Sequence, residues 1–303
     1  LSQWQQFADE LRRLNRKCSK NTQYKLLFLG RHGEGYHNAA ETFYGTPSWN
    51  CFWSVLNGNS TNSWEDARIT PNGVTQAQNA HNLWARMINQ QKIQTPDTYY
   101  TSPLSRCLQT ANITFSGLSL PKYKQFTPVV KEYLREGISI HTCDRRGNKT
   151  YIQKNYPLYK IEPNFVEYDY LWNGVTAETN AAQDLRSFVA LESIFSTHHV
   201  GSFISITSHS GEIASILRVL NHRDFSLNTG AVIPVLVEAV TVQASPTTTA
   251  AIWIPSSHCT APPLSSISNG ACVCSNNASP VTSLLVTESP FVTPSTTFKP
   301  TGI

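Results

Sequence analysis

The sequence predicts an α/β protein with a mostly parallel central sheet. Three observations carry that prediction. Short apolar runs, at 24–29 and 202–207, alternate with longer stretches of helical period. Both runs end in a His-bearing loop, Gly30-Arg31-His32-Gly33 and Ser208-His209-Ser210-Gly211. A buried parallel strand delivers side chains to its carboxyl end in this way. Between the runs lies a clear helix start, Ile69-Thr70-Pro71-Asn72-Gly73. Strands alternating with helices build a parallel sheet with helices packed on its faces.

The elements follow in order. Trp4, Phe7, Leu11 and Leu14 recur at helical spacing, which predicts an amphipathic helix over 1–20 packed on the domain surface. A strand over 24–29 ends in Gly30. Residues 39–64 hold Phe43, Tyr44, Trp49, Phe52, Trp53 and Trp64. They are read as a satellite core in preference to a substrate-side insertion. Thr70 is the N-cap and Pro71 the first residue of a helix reaching about Gln90. Thr98–Thr101 is a strand, and Ser102-Pro103 caps a helix that carries Arg106 one turn in. Residues 127–160 hold a strand-like Thr-Pro-Val-Val, then Glu132 to Gly137, then Cys143-Asp-Arg-Arg-Gly. A helix over 177–195, the strand 202–207, a helix from Glu212 to Leu220 and a strand from Ala231 to Val242 complete a domain of residues 1–243. Ser, Thr and Pro dominate 244–303, read as an extension packed on the domain or mobile, with a pattern only at Ala250 to Ile254. Phe298 to Ile303 is not an apolar anchor signal.

Composition narrows the function. A net charge of +4 with no basic block argues against a dedicated nucleic-acid binder. No apolar run reaches the roughly 18 residues of a membrane span. The chain begins at Leu1, as expected of a processed or trimmed form. Asn59, Asn112, Asn148 and Asn277 head glycosylation sequons, which permit secretion without showing it. A secretory location is the expectation and the cytoplasm the alternative. Seven Cys leave at least one unpaired if all disulfides are internal. Cys272 and Cys274 are too close to bridge each other, so Cys259 with one of them is the expected clasp. No Cys-x-x-Cys pair or His-x-x-x-His cluster exists, so no zinc or other metal is expected.

The chemistry sits at the strand ends. His32 and His209 share one carboxyl edge, and Arg31 and Arg106 reach it. Two imidazoles and two guanidiniums describe an anion pocket with a nucleophile inside. Phosphate fits best, because guanidinium forks bind its oxygens in pairs and a neutral, oriented His attacks phosphorus.

The chain resembles a family over about residues 24 to 240. Arg31-His32-Gly33 with Asn38, Ile69 to Gly73 through Gln76-Ala77, Ser102 to Arg106 through Gln109-Thr110-Ala111, Leu134-Arg135-Glu136 and Ser208 to Gly211 stand in one order. They are similar to the histidine phosphatase superfamily, branch 1, which includes the cofactor-dependent phosphoglycerate mutases. Gly35-Tyr36-His37-Asn38, Cys143 to Arg146 and Thr229 to Pro234 resemble fungal phosphoglycerate mutase-like phosphatases. The resemblance implies a three-layer α/β/α sandwich and a metal-independent phosphomonoesterase acting on a small phosphorylated metabolite, with no cofactor. His32 would become phosphohistidine. Arg31, Arg106 and His209 would hold the phosphoryl oxygens and Asn38 would add a hydrogen bond. Glu136 would protonate the leaving alcohol and then activate water, with Glu132 in reserve.

Two departures stand out. Ser210 separates His209 from Gly211, and Arg145 and Arg146 add cations that either grip a second anionic group or pair with Asp144 in a solvated loop. The alternatives are a mutase, a recruited non-phosphatase enzyme using His32 or His209 as a base, and a catalytically silent binding protein. Tyr44, Trp49, Trp53, Tyr168, Tyr170 and Trp172 suggest room for a ring-bearing leaving group, although each is individually a core candidate. Oligomeric state is not legible in the sequence.

Overall fold

A computed structural model describes residues 1–197, 200–242, 251–263 and 272–286. In chain order the main elements are α1 (Gln3–Lys17), β1 (Thr22–Arg31), α2 (Tyr36–Tyr44), α3 (Thr46–Cys51), α4 (Pro71–Asn89), β2 (Thr98–Thr101), α5 (Ser105–Phe115), β3 (Val129–Val130), α6 (Lys149–Asn155) and β4 (Lys160–Ile161). Then come β5 (Thr176–Glu178), α7 (Asn180–Phe195), β6 (Phe203–Ser208), α8 (Ser210–Val219), β7 (Val232–Val240) and β8 (Trp253–Pro255).

Six strands form the central sheet in the order β4-β3-β2-β6-β1-β7. All neighbours run parallel except β7, which pairs antiparallel with β1. Side chains alternate across a strand, so β1 feeds two cores. Leu27 and Leu29 join α7 and α8 residues such as Leu191, Ile194, Ile213 and Ile216. Leu26 and Phe28 join Leu11 of α1, Trp84 of α4 and Phe115 of α5. The sheet is thus sandwiched between two helical layers, the expected three-layer arrangement. Each fully buried Leu contributes about 1.5–3 kcal/mol over an exposed one.

Several boundaries differ from the sequence reading, each for a pairing reason. Gly30 and Arg31 continue β1, because they pair with Thr207 and Ser208 of β6. Residues 176–178 are strand, not helix: they pair with β8 of the extension, and Thr179 caps α7 by accepting from Ala182 N. Thr70 caps α4 as expected, accepting from Gly73 N. Ser102-Pro103 does not cap α5. Asp66, remote in sequence, accepts from both Ser105 N and Ser105 Oγ.

Trp49, Trp64 and Ala67 form a satellite core with Cys143, joined by Tyr44 and Trp53. The extension is fastened to that region. Cys259 bonds Cys274, the expected clasp, and Cys51 at the end of α3 bonds Cys272. Cys18, Cys107 and Cys143 are free. Phe298 to Ile303 lies outside the described residues. Among the described residues no helix is long and apolar enough to cross a membrane.

Candidate active site

Three parallel neighbours, β1, β6 and β2, end at one level: Arg31 faces Ser208 and Thr101 faces Thr207 in register. The residues just beyond them meet. The rings of His32 and His209 lie 5.0 Å apart. His32 is 1% exposed. Its Nδ1–H donates to the Gly33 carbonyl at 2.7 Å, which leaves the Nε2 lone pair free. Burial, reinforced by Arg106 and Arg31, pushes its pKa well below 6.5 and keeps the ring neutral.

A close backbone crossing holds the His32 loop. A Cβ at Gly33 would lie 2.4 Å from Gly73 O, and one at Gly73 would lie 2.2 Å from Glu34 O. Only glycine at both sites lets the loop rest on the start of α4. Gly33 N also donates to Thr110 Oγ1, and Glu34 N to Gln76 Oε1. The helix-start motif of α4 is therefore part of the site's scaffold.

His209 stands just ahead of α8. Its Nδ1 accepts from Arg106 Nε at 3.1 Å and its Nε2 bonds Ser102 Oγ at 2.7 Å. Burial and Arg106 push its pKa well below 6.5. Arg106 is fixed further by donating Nη1–H to Cys143 O. Arg31 donates Nη1–H to Leu227 O, while its Nε is buried without a partner. Two guanidiniums this close, one with an unanswered donor, make a site electrostatically ready for an anion. Asn38, in the first turn of α2, accepts from Gly35 N.

Glu136 completes the site. Its carboxylate accepts from Gly137 N, Gly211 N and Glu212 N, so it sits on the N-terminus of α8 beside His209. Burial outweighs these bonds and raises its pKa above 4.5. A Cβ at Gly211 would lie 2.3 Å from Glu136 Oε1. Glycine at 211 is what admits the carboxylate, and Ser210 merely opens the helix.

Arg186 of α7 holds the acid loop from behind. It donates to the carbonyls of Tyr133, Arg135 and Glu136, and pairs with Glu178 and Glu212. Glu132 is committed elsewhere, to Arg135 and Arg146.

Arg146 departs from the expected second anion contact. Its Nε bonds Glu132, and its other nitrogens bond the carbonyls of Gly147, Glu167, Val166 and Tyr168. No donor nitrogen is left for a substrate. Arg145 is buried too, 3.1 Å from Glu65 and over the Trp172 ring. Neither residue belongs to a solvated loop; Asp144 instead bonds Ser139 and faces Arg106 at 3.9 Å. Trp49 and Trp172 are buried, Tyr44 stacks on Trp53, and Tyr168 and Tyr170 are exposed.

One trio among the described residues brings metal-ligating atoms within 4.8 Å of one another: His141, Cys143 and Asp144. The Asp144 charge already answers Ser139 and Arg106, which disfavours a cation there. Sequence reasoning missed His37, Ser102, Asp66 and Arg186. Of these, His37 and Ser102 lay inside recognised motifs, and Asp66 and Arg186 did not.

The profile of the histidine phosphatase superfamily (branch 1) matches residues 51–234, which includes Arg106, Glu136 and His209. A probable phosphoglycerate mutase of Arthroderma benhamiae is 48% identical over 243 residues, covering 80% of this chain and 72% of that protein. A probable phosphoglycerate mutase of Saccharomyces cerevisiae is 35% identical, covering 73% of this chain and 80% of that one. Among solved structures, a phosphoglycerate mutase from Bacillus anthracis superposes with a TM-score of 0.46 at 14% identity, covering 73% of this chain and 93% of that one. The profile match and the fungal relatives place the chain in branch 1 of the histidine phosphatase superfamily.

Proposed function

We propose that this enzyme is a metal-independent phosphomonoesterase that turns over small phosphate esters through phosphohistidine. The observation that carries the reading is a neutral His32, its Nε2 free, set against Arg106, His209 and Arg31 with a raised-pKa carboxyl alongside.

In the first step His32 Nε2 bonds phosphorus as the ester P–O bond breaks. The departing alkoxide takes the proton of the Glu136 carboxyl. Three backbone N–H groups then steady the new carboxylate. In the second step Glu136 removes a proton from water, whose oxygen bonds phosphorus as the P–N bond breaks. Phosphate leaves, and His32 and protonated Glu136 are restored. The His32 Nδ1–H stays on Gly33 O throughout and fixes the tautomer. Arg31 and Arg106 take the phosphoryl oxygens and answer their charge, Asn38 adds its amide N–H, and His209 joins them by turning its Nε2–H from Ser102 Oγ to a phosphoryl oxygen.

The names of the fungal relatives favour a second reading, a mutase that returns the phosphoryl group to the bound intermediate. The test is phosphate release from a panel of esters, with chelator present and H32A alongside. Release that vanishes in H32A supports the phosphatase. Activity that appears only with a bisphosphorylated primer supports the mutase. Release that persists in H32A rejects His32 as nucleophile.

A secretory location is also proposed. Two disulfides belong to oxidising compartments, and Asn59, Asn112 and Asn277 are exposed. A mass shift on glycosidase treatment of protein from its native host tests it.

A further inference from the structure

One imidazole at the site has no task in the mechanism above. His37 lies in the first turn of α2, with its ring 5.5 Å from that of His32. Its Nδ1 is closed off from solvent and has no hydrogen-bond partner, and no protein group among the described residues answers Nε2. The ring is inside the phosphate cluster electrically: Arg106, His32, Arg31 and His141 all act on it, and it acts in turn on His209. Burial, seconded by Arg106, keeps it neutral.

The local backbone fixes which edge of the ring is available. A Cβ at Gly35 would lie 2.5 Å from His37 Nδ1 and 2.6 Å from Cε1. The Nδ1 edge therefore rests on Gly35, and glycine there admits the ring. A proton on Nδ1 would be a buried donor with no acceptor, so the proton belongs on Nε2, at the edge turned away from Gly35. Leaving a buried ring nitrogen unanswered is costly. A residue kept only for packing would avoid that cost with an apolar ring.

We propose that His37 is a substrate-contacting residue whose Nε2–H donates to a phosphoryl oxygen, in addition to Arg31, Arg106, His209 and Asn38. With ring centroids 5.5 Å apart, His37 stands within reach of an oxygen on the phosphorus that His32 attacks. As a neutral donor His37 adds a hydrogen bond without adding charge beside the nucleophile. This contact rests on reading the pocket as a phosphoryl site.

The test compares wild type, H37F and H37Q by calorimetric titration with inorganic phosphate, by kinetics on 4-nitrophenyl phosphate and by thermal melting. H37F should weaken phosphate binding by about tenfold, one hydrogen bond's worth, and lower kcat/KM at least as much, with Tm held. H37Q, which restores an N–H at similar reach, should regain most of both. Phosphate affinity and kcat/KM within about twofold of wild type in H37F overturn the proposal. If H37F does not fold, H37A takes its place, and equal affinity in H37A and wild type overturns it. Wild type that binds phosphate but hydrolyses no ester sinks the phosphatase reading while His37 is still judged on binding. Wild type that does not bind phosphate overturns both.

Discussion

Replacing Gly211 with Ala separates the acid from the fold. The new methyl would stand 2.3 Å from Glu136 Oε1. The obstructing atom is the end of a flexible side chain, so the carboxylate swings away and α8 stays. Helix propensity favours the change by about 0.5–1 kcal/mol. Against this stand the Gly211 N and Glu212 N bonds to the carboxylate, worth about 1.5–3 kcal/mol each at most and partly replaced by water at a helix end. The net change in stability is about 1–2 kcal/mol, a few degrees in Tm. Catalysis suffers more, because a positioned general acid contributes about 10²–10⁴ in rate. G211A should lower kcat/KM, which reports the leaving-group step, about 100-fold for alkyl phosphates and less than about tenfold for 4-nitrophenyl phosphate, whose leaving group departs without a proton. The assay is phosphate release across a leaving-group series, with melting curves in parallel. An unchanged alkyl-to-aryl ratio in a folded G211A would refute both the acid assignment and the reason for glycine at 211.

R146M should cost about 3–5 kcal/mol in chemical denaturation, because it removes one of the two guanidiniums on partly buried Glu132 and takes the donor from the carbonyls of Gly147, Val166 and Tyr168, and leave KM unchanged; a raised KM at unchanged stability would restore its role as an anion contact. Activity on alkyl esters should follow an acidic bell, with an acid limb from His32 below 6.5 and an alkaline limb from Glu136 above 4.5; kcat/KM still rising above about pH 7 would place the acid elsewhere. His32, His37, His141 and His209 all have folded pKa values below 6.5, so the unfolded chain binds more protons there. Their contribution to stability is present above 6.5 and lost as pH falls through the folded values, so Tm in phosphate-free buffer should drop on acidification; a flat profile would show charged rings in the fold. C51S should cost about 2–5 kcal/mol, read as the loss of reductant-sensitive stability, and an equal response to reductant in C51S and wild type would assign that stability to Cys259–Cys274.

What the sequence disclosed was local. The Leu26–Leu29 run, the Thr70 cap and the strand-end histidines state their structure within a few residues, and the fold rule for parallel sheets brings the strand ends together. The proposed acid was half legible: Glu132 and Glu136 look alike until Arg146 is seen to hold one and α8 the other. Arg146 itself was misread because its acceptors are backbone carbonyls at 147 and 166–168, which carry no side-chain signature. Asp66 capping α5, Arg186 behind the acid loop and the Cys51–Cys272 bond all depend on chain segments that meet only after folding. The β5 strand was hidden because its partner lies in the extension.

The Cys51–Cys272 bond spans 221 residues of sequence, which sets a timetable for the growing chain. At about 5–20 residues per second, synthesis leaves Cys51 waiting on the order of 10–45 s for its partner. Cys18 and Cys259 emerge before Cys272, as do Cys107 and Cys143, the two wrong partners that the folded core can hide. Both are buried in the finished fold, Cys107 in α5 and Cys143 in the satellite core. Closure of the sheet needs β6 and β7, so it hides these thiols only shortly before the right one arrives. The long disulfide is then a late seal on a catalytic domain already built, and correct pairing is selected by the order of folding rather than by the order in which the cysteines appear.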